Sequence, residues 1–190
     1  MSVGKPFAGD NMFQTHRVIA KQPNSKMCLV CGLNNEPGLK AAFYELECQQ
    51  LVGLFTPRNH QQGYPGRLHG GIAASMLDET IGRAIRLSHG DALWGVTIEL
   101  NTKFRKPIPL GETIKTVARV TKETKRHFEG EGAILLSNGR VAVEGRGRYL
   151  KMSIDSITDI DFEELQWMVI PDQDDPEVLE LPRRWESSRE

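Results

Sequence analysis

Two adjacent carboxylates, Asp78 and Glu79, stand in the middle of a stretch, Gly66 to Ala84, that has the makings of a long helix. The stretch opens on Gly66, His69, Gly70 and Gly71 and contains no proline. Stepped at 100° per residue, Ile72, Ala73, Ala74, Met76, Leu77, Thr80, Ile81, Ala84, Ile85 and Leu87 share one half of the wheel. Glu79, Arg83 and Arg86 share the other, and Asp78 falls at the border. Glu79 lies four residues before Arg83, where an ordinary surface ion pair accounts for it. Asp78 is directed to a partly dry position about two turns from a helix start. That start offers backbone N–H groups without intrahelical partners and the positive end of the dipole, which favours an ionised carboxylate. A carboxylate and an oxyanion-binding helix end are the equipment of acyl transfer. The plainer reading of the same residues is a solvated edge aspartate and a tight glycine turn.

The other chemistry-bearing residues are Cys28, Cys31 and Cys48, an odd number that fits a reducing compartment. Cys28 and Cys31 form one Cys-x-x-Cys, but Cys48 and His60 are poorly spaced to complete a zinc site. The glycine and asparagines that follow read as a turn into a strand, not as a helix start that would acidify a thiol. The expectation is therefore structural, reduced cysteines, with no metal and no cofactor.

Around the helix the pattern turns to period two. Strands are expected over 38–46 and 51–55 before it, separated from it by a loop containing Asn59, Gln61, Gln62 and Gly63. The helix runs to about Ser88, with Gly90 as the residue after its C-terminus. Four further strands follow as an antiparallel meander. In the first, Val96, Ile98 and Leu100 form a dry face. The second runs from Ile114 to Thr121 and the third over 127–136. The last carries Val141, Val143 and Tyr149, with Glu144, Arg146 and Arg148 on its opposite face. Ser137-Asn138-Gly139-Arg140 reads as a two-residue type I′ hairpin turn. One amphipathic helix against about six antiparallel strands is an α+β layer architecture. Its exposed sheet edge calls for a partner.

The chain has 190 residues and a net charge of −1, enough for one ordinary domain and too balanced for whole-surface attraction to nucleic acid or an anionic membrane. No long apolar run marks a signal or a membrane span, so a cytoplasmic protein is expected. Residues 1–26 read as an arm or short helix, with Phe7, Met12, Phe13 and Val18 as anchors. Residues 27–154 are the domain, and 155–190 an acidic tail. Within the tail Ile160, Phe162, Leu165, Trp167, Met168, Val169 and Ile170 suggest a docking helix, and an extended arm held by Trp185 follows Pro171.

His69-Gly70-Gly71, with Asp78 nine residues after the histidine, resembles the hotdog-fold acyl-CoA thioesterases of the phenylacetate-pathway type. The likeness extends to Cys28-Leu29-Val30-Cys31-Gly32 through Pro37-Gly38-Leu39, to Trp94 through Ile108, and to Gly111-Glu112, covering about residues 27–152. It implies a sheet wrapped around the helix, with subunits paired edge to edge as a homodimer or a tetramer and each site between subunits. It implies Asp78 as nucleophile or general base toward a thioester carbonyl, and the Gly70 N–H, with Gly71, as oxyanion donor. His69 corresponds to the histidine that orients this loop or touches the thioester. Thr97 falls where some relatives place a hydroxyl on the neighbouring subunit's strand. Gly63 stands where some relatives carry an amide, so Asn59, Gln61 or Gln62 would have to substitute. Arg105, Lys106, Lys125 and Arg126 are candidates for the phosphates of coenzyme A. The implied reaction is hydrolysis of an acyl-CoA to carboxylate and free CoA. The alternative is a hotdog protein that binds acyl-CoA without cleaving it. The Asp and His pattern of hotdog dehydratases is not found.

Overall fold

The structure, a computed structural model, describes residues 12–159, 167–183 and 185. Helix α1, Gly70–Arg83, lies on one face of an eight-stranded antiparallel sheet. In chain order the strands are β1 (Phe13–Lys21), β2 (Ala42–Leu46), β3 (Leu51–Phe55), β4 (Trp94–Phe104), β5 (Ile114–Glu123), β6 (His127–Leu135), β7 (Val141–Met152) and β8 (Val178–Pro182). Their order across the sheet is β4-β7-β6-β5-β3-β2-β1-β8. This is the hotdog arrangement of one central helix against a large antiparallel sheet.

Three differences from the sequence reading have plain causes. The sheet has eight strands, not about six, because residues 13–21 pair with β2 and β8 instead of forming an arm or helix. Half-buried Phe13, His16, Val18 and Lys21 are spaced irregularly among exposed residues along β1, whose pairing with β2 shifts register between Val18 and Ala20. Secondly, β4 skips its sequence neighbour and pairs with β7, so the meander is β5-β6-β7 with β4 outside it. Alternation reveals faces but not partners. Thirdly, the helix breaks at Ala84 and resumes as the four-residue α2, Arg86–His89, which ends at Gly90 with φ 56°. The hairpin after β6 is present, but among the described residues only Gly139 in it has positive φ. The Gly139 N–H donates to the Leu136 carbonyl at 2.8 Å, a four-residue turn closed by a left-handed glycine, not a type I′ turn.

The core has two parts. Met76, Leu77, Ile81 and Ile85 of the helical stretch pack with Phe43, Leu51, Ile114, Phe128, Ile134 and Tyr149 between helix and sheet. Close approach requires glycine here: a Cβ at Gly130 would stand 2.6 Å from Ile81 Cγ2. On the opposite side, Tyr44, Leu46, Val52, Val117 and Leu135 are covered by Leu179 and Leu181 of β8 and by Trp185. Trp185 also donates its indole N–H to Gln50 Oε1 at 3.3 Å, so the extended arm is held there. Of the apolar anchors read in the termini, Phe7, Ile160, Phe162 and Leu165 lie outside the described residues. Met12, Met168, Val169 and Ile170 are exposed, and Met168 makes a bridge to Asn24 instead of continuing a helix.

Candidate active site

The start of α1 is shaped by His69, its N-cap. The ring Nδ1 accepts the Gly71 N–H at 3.0 Å, so the neutral ring carries its proton on Nε2. This bond consumes Gly71 as a donor, contrary to its expected share in an oxyanion site. The Gly70 N–H makes no hydrogen bond among the described residues. Gly63 serves packing: a Cβ there would stand 3.2 Å from His69 Cα and Cδ2. None of the hydrogen bonds of the neighbouring Gln61 and Gln62 reaches Asp78. Gln61 is buried, accepts from the Arg58 N–H at 2.9 Å and donates to the carbonyls of Pro37 and Gly38. Gln62 Oε1 accepts from the Gly66 N–H at 3.3 Å, and Asn59 is exposed.

Asp78 is half-buried on the face of α1 turned to β4 and β7. Its Oδ1 accepts the Thr97 hydroxyl at 2.9 Å and the Tyr149 hydroxyl at 3.1 Å. Tyr149 also lies 3.2 Å from the Asp78 carbonyl. Burial pushes the Asp78 carboxyl above the usual carboxylate range; the bonds from Thr97 and Tyr149 pull it back, and the charge of Glu79 adds to the rise. The expected ionising influence of the helix start is not what sets this group, because desolvation dominates. Thr97 reaches Asp78 within the same chain, so its contact does not wait for a neighbouring subunit. Tyr149 is fully buried and stacked on Phe128, ring centroids 5.0 Å apart, and its ring crosses Gly147, where any Cβ would strike it. Sequence reading placed Tyr149 only as a strand residue. The available signal was its inward position in the β7 alternation, opposite the helix.

Glu79 and Arg83 do pair, Nε to Oε1 at 2.7 Å, but not on the surface. Arg83 is 4% exposed, its guanidinium stacked on Phe43 and Trp167 at 4.4 and 4.9 Å.

The helix runs antiparallel to β4. A Cβ at Gly70 would lie 3.4 Å from Phe104, whereas one at Gly82 would lie 3.6 Å from the Gly95 carbonyl. Eight residues of helix put the Gly70 N–H and Asp78 about 12 Å apart along the axis. One chain therefore does not present both groups to a single carbonyl. Arg105 and Lys106 fall at the Gly70 end, and Arg105 pairs with Glu144 at 3.3 Å. Lys125 and Arg126 are exposed in the β5–β6 turn at the other end, where the Lys151 N–H donates to the Arg126 carbonyl. The structure does not bring these two pairs together within one chain. Cys28, Cys31 and Glu79 offer ligand atoms all within 4.8 Å of one another, a convergence that sequence spacing did not reveal.

Residues 65–143 match the thioesterase superfamily. The acyl-coenzyme A thioesterase THEM4 of Rattus norvegicus is 32% identical over 113 residues, 60% of this chain and 46% of the relative. The Mus musculus protein of that name is 37% identical over 82 residues, 43% of this chain and 34% of the relative. The match thus spans less than half of either relative's length. A solved thioesterase superfamily protein superimposes with a TM-score of 0.60 at 27% identity, over 65% of this chain and 63% of its own. The E. coli PaaI protein, 18% identical, shares the fold with a TM-score of 0.55 over 60% and 81%. No helix among the described residues is long and apolar enough to cross a membrane. Over residues 65–143 the sequence of this chain is thus similar to the thioesterase superfamily, and its helix and sheet share the fold of solved members.

Proposed function

We propose that the protein hydrolyses acyl-CoA thioesters, with Asp78 as nucleophile or general base and the Gly70 N–H as oxyanion donor. The observation that carries this reading is a half-buried carboxylate, aligned by two hydroxyl donors and held above the usual range by burial. Such a group sits closer to the pH at which a base works best. The named acyl-CoA thioesterase relatives and the family match support the reaction class.

The distance between Gly70 and Asp78 is resolved by a second copy. The outer edge of β4 has no strand partner among the described residues, and Ile98 and Phe104 on it are 51% and 55% exposed. Antiparallel pairing of β4 with its copy, about an axis between Leu100 and Asn101, sets Thr97 opposite the partner's Phe104. Phe104 lies beside Gly70 in its own chain, so the partner's Gly70 arrives at Asp78. The same register sets the partner's Arg105 opposite Val96. Lys125 and Arg126 lie two strands away, about 10 Å, and together these cations flank the site for the phosphates of CoA. The assembly is a homodimer, or a tetramer of two such pairs. His69 fixes the helix start and leaves its Nε2–H toward the loop.

The test is a panel of aromatic, short-chain and medium-chain acyl-CoAs read by thiol release. Asp78→Asn is expected to lower kcat by about 10²–10⁴ if Asp78 acts as a base, and by more if it is the nucleophile. Glu79→Gln is expected to retain the chemistry. A wild type that binds acyl-CoA but releases no thiol from any member of the panel would establish a binding protein instead.

A further inference from the structure

The thioester chemistry leaves one cluster unused, on the opposite flank of α1 from Asp78. Cys28 is partly exposed and Cys31 fully buried. Cys28 Sγ accepts the backbone N–H groups of Val30 at 3.3 Å and Cys31 at 3.5 Å. Arg83 Nη2 donates to Cys31 Sγ at 3.1 Å, and Ser25 Oγ lies 3.5 Å from the same sulfur. Both sulfurs lie within 4.8 Å of each other and of a Glu79 oxygen. Each sulfur therefore has its own electropositive support: two amides for Cys28, a guanidinium for Cys31.

We propose that Cys28 and Cys31 are a redox-active thiol pair that closes to a disulfide, with the buried Arg83 as the cation that donates to the Cys31 sulfur. This replaces the expectation of inert structural cysteines. It is independent of the thioesterase reading.

Two features favour thiol exchange over a metal. Among the described residues only three ligand atoms converge, Cys28, Cys31 and Glu79, one short of the four of a structural zinc site. Arg83 already stands among them as the cation, 2.7 Å from Glu79 and 3.1 Å from Cys31. The neighbouring Cys28, with help from Arg83, lowers the Cys31 thiol to about 6 despite its burial. Cys31 in turn, followed by burial, raises Cys28. The resting pair is thus one thiol and one thiolate, with the proton on the accessible sulfur.

The co-reactant is a low-molecular-weight disulfide, RS–SR. Cys28 passes its proton to the adjacent Cys31 sulfur and attacks one sulfur of RS–SR. A Cys28–SR mixed disulfide forms, and RS⁻ leaves. Cys31 gives its proton to that RS⁻ and attacks Cys28 Sγ, and the second RS⁻ departs. Two cysteine sulfurs are oxidised by two electrons in total, and one RS–SR is reduced to one RSH and one RS⁻, the latter taking its proton from solvent. Cys28 is the sulfur open to the co-reactant and Cys31 the resolving one.

The full chain is equilibrated in buffers of increasing glutathione disulfide to glutathione ratio, quenched, alkylated and weighed intact. The expected result is joint loss of two alkylatable thiols across one transition, with Cys48 still alkylated and peptide mapping joining Cys28 to Cys31. Cys31→Ser is expected to trap one glutathione on Cys28, and Cys28→Ser to take none up on Cys31. In the reduced wild type, thiolate absorbance is expected to titrate near pH 6 and to vanish in Cys31→Ser. Should a variant fail to fold, the wild-type titration stands alone. Two thiols that stay alkylatable in glutathione disulfide would overturn the proposal. So would stoichiometric zinc or iron in the purified wild type, measured by elemental mass spectrometry and released with exposure of both thiols.

Discussion

At the scale of the residue, Asp78 carries a conflict between stability and chemistry. Its carboxyl is pushed up first by burial, while Thr97 and Tyr149 pull it back. A folded-state pKa above the unfolded value means that the contribution to stability is fully present below the unfolded pKa. It is lost as pH rises through the folded one. Asp78→Asn is therefore expected to raise Tm at neutral pH, with the gain shrinking as the solution is acidified toward the unfolded carboxylate range. Equal Tm values for the two proteins at all pH values would refute the desolvation account. In the proposed mechanism the ionised form of Asp78 is the working one, so the acid limb of kcat/KM is expected to lie above that of an ordinary carboxylate. Thr97→Val and Tyr149→Phe each remove a donor that stabilises the anion, and each is expected to move that limb to higher pH. A purely structural role for either hydroxyl would change the amplitude of the profile and leave its position unmoved. Asp78 and its border position could be read from helical periodicity alone. Alternation places Tyr149 on the inward face of β7, but its contact with Asp78 depends on β7 lying against α1, a tertiary fact with no local signature.

The elements explain why the helix reaches the sheet closely enough for a tyrosine on β7 to touch an aspartate on α1. Gly130 pairs with Gly147, and Gly132 with Gly145, across β6 and β7, and Ile81 settles over three of these glycines. Gly130→Ala would place a methyl 2.6 Å from Ile81 Cγ2 and 3.0 Å from the Arg119 carbonyl. The expected destabilisation is about 1–3 kcal/mol by denaturant titration. Ile81→Val combined with Gly130→Ala is expected to cost less than the sum of the two single changes, since the cavity and the clash share one space. Strict additivity would mean that the helix simply lifts off the sheet. This scale also marks where sequence reading succeeded and where it stopped. β3 and the meander strands were visible because alternation and turn residues are local signals. The pairing of β4 with β7 was not, because a strand's pattern is the same whichever neighbour it has. β1 was missed because charged and polar residues interrupt its apolar positions, and its burial comes from contacts with β2 and β8.

For the whole molecule, a single chain sets the proposed oxyanion donor and Asp78 about 12 Å apart along α1, so the decisive prediction is one of complementation. Gly70→Pro removes the proposed donor at the first helical position, where a proline ring suits the backbone. Asp78→Asn removes the carboxylate. Each variant alone is expected to be a dimer with little activity. In a mixed dimer, one site combines the intact Asp78 of the first chain with the intact Gly70 of the second, and the other site carries both defects. Mixed dimers co-expressed with two different tags and purified through both are expected to recover about half of the wild-type turnover per dimer. A site contained in one chain would be dead in both halves of the mixture, and no activity would return. The same logic fixes the role of the β4 edge. Ile98 is exposed at a register shift in β4, and Ile98→Lys sets like charges near one another across the proposed twofold axis. It is expected to yield a folded monomer by light scattering with turnover lost in parallel. A monomeric wild type at micromolar concentration, or an active Ile98→Lys monomer, would remove the shared site.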